Sequence, residues 1–159
     1  MIAGLGLDPG GTTGICLAAW QPGKPEAVSV LARQCPRAEA AEVLGQMLAG
    51  WGLEVTCAQI EDFRVSRRAA RIRRAHSTGT AELVADLRDA LRLPGIRVYV
   101  RPASDGKPWA SDKRLKAAGL LDVTRGLPHA RDAARHALYT AHFDGLLPDP
   151  LSKRAAGRS

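Results

Sequence analysis

The chain has 159 residues, 45% hydrophobic and 25% charged, with a formal net charge of +7. That size and balance suit one soluble globular domain, and no apolar run reaches the ~18 residues of a membrane span. Three cysteines without a CxxC spacing exclude a zinc ribbon and a disulfide framework. The opening MIAGLGLDPG lacks a basic stretch followed by a long apolar one, so no secretory signal is expected and the location expected is cytoplasmic. A basic excess of this size favours polyanionic partners through long-range attraction.

Ile2 to Asp8 is a short apolar run that ends in Pro9-Gly10-Gly11, a turn in which proline presets φ and glycine relaxes it. Thr12 to Trp20 reads as its antiparallel partner and Ala27 to Leu31 as a third strand. From Arg37 to Trp51 the apolar residues Ala40, Leu44, Met47, Leu48 and Trp51 recur at helical spacing, and Gly52 breaks the pattern. Glu54 to Glu61 is predicted as a fourth strand, Ala81 to Leu91 as a helix, and Ile96 to Val100 as a fifth strand parallel to the fourth. A polar loop over Pro102 to Pro108 then leads to a short helix around Ser111 to Leu121. The last helix begins near Pro128 and runs to about Phe143. The expected fold class is α/β: a mixed five-stranded sheet, three antiparallel strands then two parallel, with helices on both faces. One domain over 1–147 is expected, with a flexible basic tail over 148–159.

Three carboxylates stand where chemistry is possible. Asp8 closes the first strand before a tight glycine turn that leaves room for a phosphate; an aspartate stabilising that turn is the plainer explanation. Glu61 closes the fourth strand, and Asp62 beside it must point to the opposite face. Asp132 falls in the first turns of the last helix, where the helix dipole alone favours a carboxylate. His129, Asp132 and His136, spaced i−3, i and i+4, form a polar stripe set against an apolar face of Ala134, Ala137, Leu138 and Ala141. Together, the acids suit a hard cation such as magnesium, which takes oxygen ligands and keeps several waters. A pair of such ions can activate a water and stabilise the leaving oxygen of a phosphodiester.

Arginines 64, 67, 68, 71, 73 and 74 fall within eleven residues directly after this strand. In a helix, Arg64, Arg67, Arg68, Arg71 and Arg74 share one stripe, which points to nucleic-acid contact more than to a solvated face. Lys107, Lys113, Arg114 and Lys116 form a second basic group. Lys107 is a candidate nucleic-acid contact, and Lys113 a candidate for steadying the scissile phosphate. Trp109 reads as a helix anchor.

The stretches GLGLDPGGTTGICL, AQIEDF and LPHARDAARHAL resemble, in order, the three acidic motifs of the RuvC family of Holliday-junction resolvases, especially its short phage-borne members. The resemblance implies a ribonuclease H-like fold, a homodimer, and two-metal hydrolysis (Mg, with Mn an option) of four-way DNA junctions. It matches Asp8, Glu61 and Asp132 to the family's acids. It sets His129 where members carry aspartate or histidine, as a metal ligand or proton handler. His136 has no family counterpart, and a structural role or a phosphate contact is expected. Phe63, a candidate DNA contact, stands two residues after Glu61 where family members often place an aromatic three after. A nuclease for other DNA or RNA structures and an inert DNA-binding module are the alternatives. An ATP-binding protein, suggested by the DxGxT turn, would need two such domains, so no nucleotide cofactor is expected.

Overall fold

The computed structural model describes residues 1–62, 74–92 and 94–152. Strands β1 (Ile2–Asp8), β2 (Thr12–Trp20) and β3 (Ala27–Pro36) form an antiparallel meander, followed by helix α1 (Ala40–Trp51). Then come β4 (Cys57–Asp62), α2 (Arg74–Arg92), β5 (Arg97–Pro102), two short helices α3 (Ala103–Gly106) and α4 (Asp112–Ala117), and α5 (Pro128–Phe143). The sheet order is β3-β2-β1-β4-β5, with β1, β4 and β5 parallel to one another.

Strand alternation explains the two cores. Leu5, Leu7, Ile15, Leu17, Ala58 and Ile60 point to the face covered by α1 and α2. Cys16, Ala18 and Trp20 point to the other, where Leu115, Leu120 and the alanines of α5 cover them. Each face therefore buries its apolar half against helices, as the mixed α/β reading requires.

Element bounds depart from the sequence pattern where packing, not periodicity, decides. β3 extends five residues past the expected Leu31, because it pairs with the whole of β2 from Trp20↔Ala27 to Thr12↔Pro36. It is an edge strand, half exposed, so its outer half carries no strong apolar alternation. α2 begins at Arg74, not Ala81, and its first turns are polar. The polar loop expected over Pro102 to Pro108 contains the single helical turn α3. The segment from 148 is anchored at its start, since Asp149 receives hydrogen bonds from Arg114 at 2.9–3.3 Å.

α5 lies almost on the strands themselves. Gly4 and Gly6 face it from β1, and a Cβ on Gly6 would overlap the Ala133 carbonyl oxygen. A Cβ on Gly14 of β2 would overlap the carbonyl oxygen of His129. These glycines serve close approach and not turn geometry. They bring the first turns of α5 down beside the end of β1, where Asp8 stands.

Candidate metal centre

β1 and β4 run parallel with Leu7 opposite Ile60, so Asp8 and Glu61 follow as neighbours at the carboxyl ends of adjacent strands. Even positions of β1 and odd positions of β4 face α5. Glu61 therefore shares a face with Asp8, whereas Asp62 lies on the α2 side, lining a cleft with Thr80, Ala81 and Val84. α5 contributes Asp132 and His129 from above, and His129 Nδ1 lies 3.0 Å from Asp8 Oδ2.

A lysine sits among the acids. The Lys107 ammonium is 2.8 Å from Glu61 Oε2, 2.8 Å from Asp132 Oδ2 and 3.7 Å from Asp8 Oδ1. The helical turn α3 directs it inward from the end of β5. Among the described residues, the cation that reaches all three carboxylates is thus Lys107, assigned from sequence to nucleic-acid contact. Lys113, assigned to the scissile phosphate, lies on the exposed side of α4. Arg135 holds the other oxygen of Asp132 at 3.3 Å and is itself tied to Asp112 at 2.6 Å and to the Ala110 carbonyl.

His136 departs furthest from the sequence reading. The stripe of His129, Asp132 and His136 does face one way, toward the acids, but its last member is fully buried between α5 and β4 and does not face solvent. A helix this close to a sheet has no solvent on its inner side, so a polar residue there must find protein partners. His136 finds Glu61 Oε2 at 2.8 Å and Gln59 at 2.8 Å. Gln59 escaped notice in the sequence, although a polar residue two before Glu61 in an apolar strand shares its face. Trp109 stacks on His142 at 4.6 Å and meets Tyr139 edge-on, which fastens the segment before α4 to α5. Phe63, Arg64, Arg67, Arg68, Arg71 and Arg73 lie outside the described residues. Arg74 opens α2, and only its backbone is described.

The electrostatics fit a cation site. Burial pushes Asp8 up to about 6, with the charge of Glu61 adding and Lys107 opposing. Burial also acts on Glu61, but the hydrogen bonds from His136 and Lys107 outweigh it and hold the group at about 2. Burial opposes the charge on Lys107, yet Asp132 and Glu61 raise it to about 12. Partly buried oxygen donors gathered around an ammonium already in place suit a hard divalent ion. Asp8, Glu61 and Asp132 would hold it, with His129 at the rim.

Two expected results follow. The raised Asp8 carries a proton in the folded chain between about 4 and 6 that the unfolded chain lacks, so its contribution to metal-free stability is lost as pH rises through about 6. A cation must displace that proton, so the apparent Kd for Mn2+ should rise roughly tenfold per pH unit below about 6. Titrations followed by electron paramagnetic resonance at pH 5, 6 and 7 would measure this. Lys107→Met should remove the cation shared by the three acids and lower metal-free stability by roughly 2 kcal/mol, partial exposure and the Arg135 contact to Asp132 trimming the buried-pair value. Melting curves with chelator and with Mg2+ check it: the variant should gain more from Mg2+ than the parent does.

RuvC of Thermus thermophilus in complex with Holliday junction substrate superimposes with a TM-score of 0.63, at 17% identity, over 92% of this chain and 96% of that one. A second Thermus thermophilus RuvC structure gives a TM-score of 0.59 at 16% identity, over 89% and 95% of the two chains. The chain has the RuvC fold. Its ribonuclease H-like sheet and the order of its elements agree with the sequence resemblance over nearly the full length of both proteins. No family model and no curated protein matches the chain. Among the described residues no helix is long and apolar enough to cross a membrane.

Proposed function

We propose that this chain is a metal-dependent endonuclease that cuts branched DNA, four-way junctions foremost. The observation that carries the reading is the convergence of Asp8, Glu61 and Asp132 on one cation-sized position in a chain with the RuvC fold. Two Mg2+ ions bound there would supply an activated water and neutralise charge on the leaving oxygen. The protein's own part is to fix the acids. Asp8 and Glu61 are held by strand register, Asp132 is clamped by Arg135, and His129 borders Asp8 where a proton can be passed. Gly10 and Gly11 keep the approach to Asp8 free of side chains, so a phosphate can come close. The net charge of +7 favours a polyanionic substrate, and Arg64, Arg67, Arg68, Arg71 and Arg74 directly after β4 are its proposed contacts. The working form is proposed to be a cytoplasmic homodimer, since a four-way junction needs two coordinated cuts.

The test is incubation with Mg2+ and end-labelled four-way junction, flap, linear duplex, single strand and RNA–DNA hybrid. Paired symmetric nicks in the junction support the proposal. Cutting confined to the hybrid, or binding without cutting, would reject it.

A further inference from the structure

Asp8, Glu61 and His136 offer ligand atoms within 4.8 Å of one another, which makes the histidine look like a third metal ligand. Hydrogen-bond direction argues otherwise. Asp144 receives two hydrogen bonds from Arg101, at 2.7 and 2.9 Å, and a third from Thr140 at 2.8 Å. Arg101 also reaches Gln59 at 3.2 Å. A guanidinium only donates, so the Gln59 atom facing it is the carbonyl oxygen. The Gln59 amide nitrogen must then face His136 Nδ1, 2.8 Å away. That nitrogen only donates as well, so Nδ1 is the acceptor and the ring proton sits on Nε2. Nε2 lies 2.8 Å from Glu61 Oε2 and donates to it. Every link runs one way, from Arg101 through Gln59 and His136 to the acid.

We propose that His136 is a positioning residue, locked by Asp144, Arg101 and Gln59 as an Nε2–H donor that orients Glu61, and is not itself a ligand of the cation. The lone pair a metal would need at Nε2 is occupied by the proton. Gly106 packs over the Gln59–His136 bond: a Cβ there would stand 3.3 Å from both partner nitrogens, so no side chain intrudes. The chain of bonds spans β5, β4 and α5, so the orientation of Glu61 is set by the packing of three elements. The inference rests on the nuclease reading for its purpose, but not for its test.

The test uses the full chain without DNA. In protein labelled with 15N in its histidine rings, long-range 1H–15N spectra should report His136 as the Nε2–H form. Saturating Zn2+ or Mg2+ should leave Nε2 protonated. An unprotonated Nε2, or a coordination shift at Nε2 on adding metal, would overturn the proposal. Removing an outer partner of a metal site commonly costs 10–100-fold in affinity. His136→Leu should therefore weaken Mn2+ binding by roughly tenfold or more. His136→Gln, whose amide can still donate to Glu61, should recover most of that loss. Equal losses in the two variants, or none in His136→Leu, would overturn it. Gln59→Met, which spares the histidine, should let the second ring tautomer appear; a spectrum unchanged from the parent would count against the relay. A protein that passes these tests yet cuts no DNA refutes the nuclease reading alone; a junction-cutting protein that fails them refutes the relay alone.

Discussion

Asp8→Asn should reduce Mg2+-dependent cleavage of a four-way junction by about a thousandfold or more, with junction affinity in chelator unchanged within a few-fold. Asparagine keeps the size of the side chain and one carbonyl oxygen but gives up the charge. A bound cation contributes several kcal/mol to a phosphoryl transition state, and each 1.4 kcal/mol is tenfold in rate, so losing about 4 kcal/mol gives that factor. Affinity should persist because the substitution removes a negative charge from a basic protein. Burial and Glu61 raise Asp8 to about 6, so the fold favours a neutral side chain here and the substitution should not unfold the metal-free chain. Single-turnover cleavage, with gel-shift binding in chelator, separates the two quantities. Unchanged cleavage by a clean preparation would remove Asp8 from the metal centre.

Gly6→Ala is expected to destabilise the fold by at least about 3 kcal/mol, at the upper end of what overpacking costs. The new methyl would meet the Ala133 carbonyl and the Ala137 amide of α5, which are backbone and cannot rotate away. Relief requires lifting the helix, and lifting it carries Asp132 and His129 away from Asp8. Stability and metal binding should fall together. Gly11→Ala, with nothing within 4 Å of its added methyl, supplies the control and should cost under about 1 kcal/mol. Urea unfolding of the two variants beside the parent decides it; similar midpoints would mean that α5 does not sit as close as described.

Much of this architecture was legible in the sequence because the signals are local. The glycine turn after Asp8, the apolar strand ending in Glu61 and the helix from Pro128 each need only a few neighbouring residues to be read. What stayed hidden depends on the distance between elements. The His129–Asp132–His136 spacing suggested one stripe, but a stripe has a wet side and a dry side only once the helix is docked. Gly4, Gly6 and Gly14 dock it so closely that His136 is buried under the sheet. Lys107 and Lys113 look alike in sequence. Only the turn over Ala103–Gly106, too short for any periodicity, turns one inward and leaves the other in solvent. Gln59 and Arg101 form their link because β4 and β5 lie side by side in parallel, which no local pattern announces.

The ammonium of Lys107 is attached to the protein, so dilution never lowers its concentration at the acids, whereas an ion from solution must compete at whatever level the medium holds. A sodium or potassium ion brings the same single charge and gains nothing by the exchange. A divalent ion brings twice the charge and alone has reason to displace it. Under the proposed metal reading, the tethered lysine would act as a filter on valence, disfavouring common monovalent salt and yielding to ions of higher charge.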